Sequence, residues 1–175
     1  MPSRYYFLSS LPMLRFSDAS PMKWEDFISQ AVGNVSEQDL RLLEGIVDGK
    51  DGGNGFLIRW ADFNAKLDDA VNTRRRQILG RQGEESLILR DPEFEQTANA
   101  ALNAKNPLEA EILLMQCRFD YLENAKGFDP FSESALLAYA LQLRILLRKA
   151  MFNSEMGNSE YRKLFEKLQN ELKTE

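Results

Sequence analysis

The chain has 175 residues, of which 43% are hydrophobic and 28% are charged, and its formal net charge is −5. This length and composition predict a single folded domain over residues 1–175 and exclude a disordered chain. The acidic balance argues against a general nucleic-acid binder, whose affinity depends on many basic contacts to phosphate groups.

Two residue types limit the chemistry further. Histidine is absent, which removes the commonest general base and the commonest metal ligand. Cys117 is the only cysteine, so no disulfide can form within the chain, and we expect a reducing, cytoplasmic compartment. Its surroundings, LLMQCRFDYL, are typical of a small core residue and not of a nucleophile. We therefore expect no enzyme activity, no cofactor and no metal site.

The opening residues 4–16, RYYFLSSLPMLRF, are rich in aromatic and aliphatic side chains. A secretory signal would continue as an uninterrupted apolar core, whereas this segment soon reaches a proline and charged residues, so we expect it to belong to the fold. We predict a helix or an extended lead that Pro12 ends. The side chains expected to pack into the helical bundle are Tyr5, Tyr6, Phe7 and Leu11.

Two short helices are predicted next. In ASPMKWEDFISQAVG, Ser20 is a candidate N-cap, Pro21 is the first helical residue and Gly33 ends the helix. In SEQDLRLLEGIVDG, Ser36 and Asp39 have the spacing of a capping box, which favours a second helix start.

The linker KDGGNG, residues 50–55, is too rich in glycine for a regular element. A phosphate-binding loop needs a lysine followed by Ser or Thr, and a calcium-binding EF-hand needs oxygen ligands at fixed positions; neither pattern fits. We predict a mobile connector between helices. Its position allows a small N-terminal lobe, residues 1–49, within the domain.

A long helix is predicted from about residue 56 to residue 81, where apolar residues recur every three or four positions. Arg74 falls on its apolar stripe between Val71 and Ile78. A buried arginine there would need a partner from another helix, because an unpaired interior charge is costly. We interpret Arg74 as a structural or interface residue; nucleic-acid contact is the alternative, but successive arginines on a helix diverge by about 100°.

Three further helices are predicted over about 92–104, 107–125 and 133–152, each opened by a capping residue. The caps and first helical residues are Asp91 with Pro92, Asn106 with Pro107, and either Asp129 or Ser132. Gly127 closes the second of these helices. Because the link that follows it is short, we predict that helices 107–125 and 133–152 form an antiparallel hairpin.

The longest apolar stretch, LLAYALQLRILL at 136–147, is short and contains a glutamine and an arginine, so we predict no direct membrane insertion. The last segment, SEYRKLFEKLQNELK, carries an apolar stripe that includes Tyr161, Phe165 and Leu168. That stripe can cover the protein's own core or dock a partner. No sustained alternating β pattern occurs, so the prediction is an all-α, irregular bundle of about seven helices.

The opening motif also carries a resemblance. YYFLSSLPMLRF, followed by PMKWEDFISQ and SEQDLRLLEGI, resembles the start of a family of small, poorly characterised bacterial proteins usually encoded among the subunits of V-type rotary ATPases. The resemblance spans essentially the whole chain, with the N-terminal motif as its most specific part. No enzymatic activity is associated with that family. The resemblance therefore implies a non-enzymatic ATPase subunit or accessory protein.

Part of the long helix is similar to the C subunit of these ATPases, known as d in eukaryotes, which is an all-helical socket between the membrane rotor ring and the central shaft. In WADFNAKLDDAVNTRRRQILGR, Asp62, Asn64 and Arg74 occupy the places of an acidic residue, an asparagine and an arginine in that subunit, before Gly80. Ala65 differs from the leucine usual in that pattern.

A second stretch, FSESALLAYALQLRILLRKAMFNSE, loosely matches the late apolar helix of the C subunit through Tyr139, Arg144 and Arg148. The chain is much shorter than a C subunit, so we do not expect a complete socket. The resemblance implies a C-like protein near the central stalk, peripheral to the membrane through the ATPase, with the rotor ring or central shaft as partner. The residues alone also fit a free-standing helical adaptor or regulator, either monomeric or homo-oligomeric.

Overall fold

The computed structural model describes residues 4–80 and 92–152. Over these two ranges it contains seven α-helices and no β-strand, which confirms the all-α prediction. The helices are α1 (Arg4–Ser10), α2 (Trp24–Ala31), α3 (Glu37–Val47), α4 (Gly55–Ile78), α5 (Pro92–Leu102), α6 (Pro107–Ala125) and α7 (Glu133–Met151). The cap predicted at Asp91 lies outside the described residues.

Helix α1 lies where a helix or an extended lead was predicted, but not all of the side chains that we expected to pack into the bundle are buried. It ends two residues before Pro12, since proline disfavours a helical conformation in the residue that precedes it. Phe7 is buried, but Tyr5 and Tyr6 are 51% and 73% exposed, so the prediction that both tyrosines pack into the bundle is wrong. Neighbouring residues on a helix point about 100° apart, and the face that buries Phe7 turns the two tyrosines outward.

Helix α2 begins later than the sequence predicted. It starts at Trp24 and not at Pro21, and the Ser20 hydroxyl donates to the Met22 carbonyl at 2.8 Å instead of capping the helix. The predicted cap is therefore wrong. The predicted end is confirmed, because Gly33 has a φ of +79°, a left-handed conformation that glycine adopts without a Cβ clash.

The other predicted caps are confirmed where the structure describes them. Ser36 Oγ accepts from the Asp39 amide at 3.1 Å, and the Ser36 amide donates to the Asp39 carboxylate at 3.4 Å, which completes the capping box of α3. Asn106 caps α6 by accepting from the Glu109 amide. Of the two candidates before α7, Ser132 is the N-cap.

The glycine-rich linker forms a hydrogen-bonded turn before α4. The carboxylate of Asp51 accepts from the Gly53 amide, and the Asp51 carbonyl accepts from the Asn54 amide, both at 2.8 Å. Asn54 Oδ1 then caps α4 by accepting from the first helical amides, and its Nδ2 donates to Glu133 at the start of α7. Through Asn54, the linker thus connects the N-terminal end of α4 to the N-terminal end of α7.

Helices α6 and α7 form the predicted antiparallel hairpin. Midway along α7, Gln142 donates to the Glu123 carboxylate near the end of α6 at 3.0 Å. Near the open ends, Arg148 donates to Glu111 at 3.0 Å. Because residue numbers rise along α7 while those of their partners fall along α6, the two helices run in opposite directions.

Helix α7 is the centre of the core. Ten of its 19 residues are buried, so its apolar face is wide, as the sequence predicts for a helix surrounded by others. Eight of these ten residues belong to one cluster with residues of α1, α2, α3, α4 and α6. Within the described ranges, none of the helices has the length and hydropathy that a membrane span requires.

Candidate functional site

Helix α1 is held against α3 by a charged pair. Arg4 Nη2 lies 2.8 Å from Asp39 Oδ1 and 2.9 Å from Asp39 Oδ2, a two-oxygen contact with a carboxylate that is only 2% exposed. The same carboxylate completes the capping box of α3. A buried carboxylate needs such partners because desolvation penalises an unpaired charge. Asp39 therefore fixes both the start of α3 and the position of α1.

Aromatic rings fix the other side of α1. Phe27 on α2 is fully buried, and its ring centroid lies 5.7 Å from that of Phe7, 5.4 Å from that of Trp24 and 5.7 Å from that of Tyr139. Tilted and stacked contacts at these separations add to the burial of apolar area. Phe27 is thus the meeting point of α1, α2 and α7.

We use the name aromatic surface for the two tyrosines of α1 and the two phenylalanines of the link between α6 and α7: Tyr5, Tyr6 and Phe128 are exposed, and Phe131 is half-buried. Tyr5 contacts Tyr6 edge to face at 5.4 Å and lies 4.3 Å from Phe131 in the link between α6 and α7. Phe128, in the same link, is fully exposed. Exposed aromatic clusters of this kind are typical of surfaces that bind other proteins.

The segment between α1 and α2 is attached to α7. The hydroxyl of Tyr139 donates to the Pro12 carbonyl at 2.9 Å, and Lys149 donates to the Phe16 carbonyl. The Lys149 ammonium also lies 4.5 Å from the Phe16 ring centroid, within range of a cation–π interaction. Burial raises the pKa of Tyr139 to about 12, so this donor keeps its proton throughout the physiological range.

The two predicted arginines of α7 also make internal contacts. Arg144 Nη1 donates to the Ile46 carbonyl at the end of α3 at 2.8 Å, and its guanidinium lies 5.6 Å from the Trp24 ring centroid. Arg148 pairs with Glu111 on α6. Tyr139, Arg144 and Arg148 therefore join α7 to three different parts of the bundle and do not converge on one site.

The three residues of α4 that the resemblance singled out, Asp62, Asn64 and Arg74, likewise have separate partners. Asp62 pairs with Lys66 one turn away at 2.7 Å, whereas Asn64 accepts from Arg118 on α6. Arg74 is exposed, and its guanidinium donates to Gln77 on the same helix at 3.1 Å. After Val71 the residues of the apolar stripe are no longer buried among the described residues: Ile78 is 60% exposed.

Arg118 is a residue that the sequence analysis missed. Its Nε donates to Asn64 Oδ1 and its Nη2 to Asp68 Oδ1, both at 2.9 Å, so one guanidinium ties α6 to two successive turns of α4. The side chain of Arg118 is only 18% exposed. Its partners lie about 50 positions earlier in the chain, and no local pattern indicates that they meet.

A groove of about 570 Å³ lies between α4, α5 and α6. Phe63, Phe94 and Tyr121 line it, one from each helix. The rings of Phe63 and Tyr121 are nearly parallel with centroids 3.8 Å apart, and Phe94 lies 5.3 Å from Phe63. Trp60 extends this cluster at 5.8 Å from Phe63. The stacked rings hold the three helices together and supply an aromatic wall.

The charged residues that the structure describes along the groove are acidic. Glu93 and Asp120 line it, and no lysine or arginine does so among the residues that the structure describes. Asp120 Oδ1 accepts from Gln116 Nε2 at 2.7 Å, which orients the carboxylate through a neutral donor. The groove therefore combines aromatic rings with negative charge.

Cys117 also lines the groove. Burial raises the pKa of its thiol above the usual value; the Thr97 hydroxyl and Arg118 oppose that shift, whereas the carboxylates of Glu93 and Asp120 add to it. A thiol with a raised pKa stays protonated near neutral pH, and the protonated form is a poor nucleophile. The surroundings agree with the interpretation of Cys117 as a structural residue.

The predicted C-terminal stripe cannot be compared with the structure. Tyr161, Phe165 and Leu168, on the predicted C-terminal stripe, lie outside the described residues. The exposure of Phe128 could have been predicted from the sequence, because an aromatic residue between Gly127 and Asp129 in a short link has no helical face to bury it. The groove had no such signal, because its walls come from three separate helices.

The fold and these surfaces define an all-α protein with an exposed aromatic surface and an acidic aromatic groove. Residues 95–172 match the family described as "Protein of unknown function (DUF2764)". The match begins within α5, covers α6 and α7, and extends over less than half of the chain. No curated protein and no solved structure matches the chain.

Proposed function

We propose that this chain is a non-enzymatic, C-like subunit or accessory protein of a bacterial V-type rotary ATPase. It lies near the central stalk on the cytoplasmic side and binds the rotor ring or the central shaft through its aromatic surface. The choice of partner is supported by the resemblance of the opening residues to proteins encoded with such ATPases. The observation that carries the binding role is the exposure of Tyr6, whose ring contacts Tyr5, and of Phe128, which lies three residues before Phe131 in the link, together with the Tyr5–Phe131 contact.

Energetics support a binding role for these rings. Full burial of a phenylalanine side chain stabilises by about 1.5–3 kcal/mol, a gain that the fully exposed Phe128 does not make within this chain. A partner that covers Phe128 and Tyr6 would supply that burial. Aromatic side chains are also enriched among the few residues that dominate binding energies at interfaces.

The attachment of the aromatic surface supports a mechanical role. The Arg4–Asp39 pair fixes α1, and the bonds from α7 to Pro12 and Phe16 fix the segment after it. In the link between α6 and α7, the Phe131 amide donates to the Asp129 carboxylate at 2.9 Å. A surface that is ordered before binding loses less conformational entropy when a partner docks. Such a body can hold an assembly together or transmit torque through surface contacts.

Co-purification from native cells tests this proposal. We expect tagged wild-type protein to recover rotary ATPase subunits and the Tyr6→Ser, Phe128→Ser double variant to lose them, with unchanged thermal stability because both side chains are exposed. The matched control is Val47→Ser with Ile58→Ser, which removes two exposed apolar residues outside the aromatic surface and is expected to keep the subunits.

Recovery of no ATPase subunit by the wild-type protein would contradict the proposal and favour the free-standing adaptor. If the aromatic-surface variant and the control recover equal amounts of ATPase subunits, the protein binds the ATPase but does not do so through the aromatic surface.

A further inference from the structure

Helices α4 and α6 run in opposite directions. The Tyr121 hydroxyl on α6 donates to the Arg59 carbonyl on α4 at 3.5 Å, whereas Arg118, earlier on α6, donates to Asp68, later on α4. Helix α7 is also antiparallel to α6, so α4 and α7 run in the same direction. The last turns of α4 and α7 and the first turn of α6 therefore lie at one end of the bundle, away from the link between α6 and α7.

The three helices reach this end at nearly the same level. Ile78 lies ten residues after Asp68, and Leu108 lies ten residues before Arg118. A helix rises 1.5 Å per residue, so both residues are displaced about 15 Å from the Arg118–Asp68 contact in the same direction. The bond from Arg148 joins the last turn of α7 to α6 near its start. Side chains of all three helices thus meet at this end.

Apolar side chains at this end continue buried faces of their helices but are exposed. Residues seven positions apart on a helix differ by only about 20° in direction, so they share a face. On α4, the exposed fraction rises from 8% at Val71 to 60% at Ile78. The residues seven positions from buried Met115 on α6 and from buried Ile145 on α7 are exposed as well. We name this exposed set the apolar end: Ile78, Leu79, Leu108, Met151 and Phe152.

The C-terminal segment follows the apolar end directly along the chain. The described residues end at Phe152, and residues 153–175 come next. Residues 153–158 can span up to about 20 Å, which exceeds the separation of about 10 Å between packed helices. The residues after them carry an apolar stripe with the spacing of one helical face: Tyr161, Leu164, Phe165, Leu168 and Leu172. The stripe is therefore within reach of the apolar end.

The family match favours a segment of this chain as the occupant of the apolar end. It covers residues 95–172, which include the hairpin of α6 and α7 and end at Leu172, the last residue of the stripe. The stripe and the hairpin therefore belong to one family unit. A site for a second copy or for an unrelated partner would not require the stripe to follow the hairpin in the same chain.

Charges beside the two apolar surfaces are complementary. Arg75 is exposed one turn before Ile78, and it forms no ion pair with any residue in the ranges 4–80 and 92–152. Glu160 and Glu171 are eleven positions apart, or about 20° on a helix, so both border the same edge of the stripe, next to Leu164. An exposed pair between Arg75 and either glutamate adds little stability, but it favours one orientation of the segment.

We propose that the C-terminal segment packs its apolar stripe over the apolar end as a further helix of the same bundle. Leucine and phenylalanine side chains gain stability in proportion to the apolar area that they remove from water, and both surfaces supply such area. The stripe then covers the protein's own core and does not dock a partner, a choice that its spacing leaves open. This inference does not depend on the ATPase assignment.

Thiol labelling of the full chain tests the proposal. Ile78→Cys places a thiol in the apolar end, and Ile58→Cys places a control thiol at an exposed position near the start of the same helix. Cys117→Ala removes the native thiol from both chains. We expect N-ethylmaleimide to react at least about tenfold more slowly with the thiol in the apolar end than with the control thiol, because that reaction requires the segment to undock.

Variants of the segment show whether the stripe provides the protection. Phe165→Ser with Leu168→Ser disrupts the stripe, and it should raise the rate in the apolar end about tenfold while the control thiol stays within about twofold. The matched control is Lys163→Ser with Asn170→Ser, on the opposite side of the predicted helix, and it should change neither rate.

Faster reaction of both thiols would show that the disrupted chain unfolds, and the single Leu168→Ala variant then supplies the comparison. A faster reaction in the apolar end alone supports the proposal in that variant, and an unchanged rate there overturns it.

Equal rates of the two thiols in the chain with the natural stripe, or the same rates with and without the stripe, would overturn the proposal. Protection that disappears on dilution, together with a dimer in size-exclusion chromatography, would overturn it in favour of a second copy as the occupant. Protection that arises only when purified rotary ATPase is added would overturn it in favour of a foreign partner. Because the labelling uses the isolated protein, its failure leaves the ATPase assignment untouched.

Discussion

Two regions of the molecule use charged and aromatic side chains differently. Around α1–α3 and α7, charges hold the chain to itself: Asp39 binds Arg4, and Arg144 binds a carbonyl of α3. Around α4–α6, the rings stack on one another, while the carboxylates of Glu93 and Asp120 face a groove. The first region thus fixes its helices with charged contacts, and the second fixes them with stacked rings and the bonds of Arg118. Variants that disrupt each region can test this difference.

The largest expected effect is at the aromatic meeting point of the first region. Phe27→Ala should lower the free energy of unfolding by about 3–5 kcal/mol, because it leaves a cavity among three other rings. Chemical denaturation measures the change. The control Val32→Ala, at an exposed position directly after α2, should stay within about 0.5 kcal/mol of the wild type. Similar losses in both variants would contradict the packing role of Phe27.

The buried carboxylate should come next. Asp39→Asn removes the charge that binds Arg4 and weakens the capping box, so we expect a loss of about 2–3 kcal/mol in the free energy of unfolding. Glu37→Gln, two residues earlier on α3 and in an exposed pair with Arg41, serves as the control and should cost less than about 0.5 kcal/mol. A loss as small as that control's would show that the pair does not anchor α1.

A smaller effect is expected in the second region. Arg118→Ala removes two charge-assisted hydrogen bonds between α6 and α4, and because Asp68 is exposed we expect a loss of only about 1–2 kcal/mol. Hydrogen exchange should show faster opening of α4 near Asn64. Arg148→Ala, which breaks a more exposed pair within the hairpin, should cost less than about 1 kcal/mol. The reverse order of the two losses would contradict this account.

The smallest effect concerns alkaline pH. Burial raises the pKa of Tyr139 from 10.0 to about 12, so the folded state favours the neutral phenol. Its contribution to stability is therefore complete below pH 10 and is lost as the pH rises toward 12. Between these values the melting temperature of Tyr139→Phe should fall less steeply than that of the wild type. Tyr6→Phe, at an exposed position, should follow the wild-type curve, and parallel curves for all three proteins would contradict the assignment.

The sequence by itself determined the helices and most of their ends. Caps such as Ser36, Asn106 and Ser132 and the left-handed Gly33 depend on hydrogen bonds and backbone angles within about four residues, so a local pattern contains all that they need. The wide apolar face of α7 and the short link before it likewise predicted a central hairpin helix.

Only the tertiary structure decided which residues share a surface. The Arg4–Asp39, Asn64–Arg118 and Pro12–Tyr139 contacts span 35, 54 and 127 positions along the chain. Periodicity states that a helix has an apolar face, but not where its neighbours stop covering it. The outward direction of Tyr6, the exposure of Arg74 and the acidic groove therefore follow from how the helices pack, because each depends on the relative placement of separate elements.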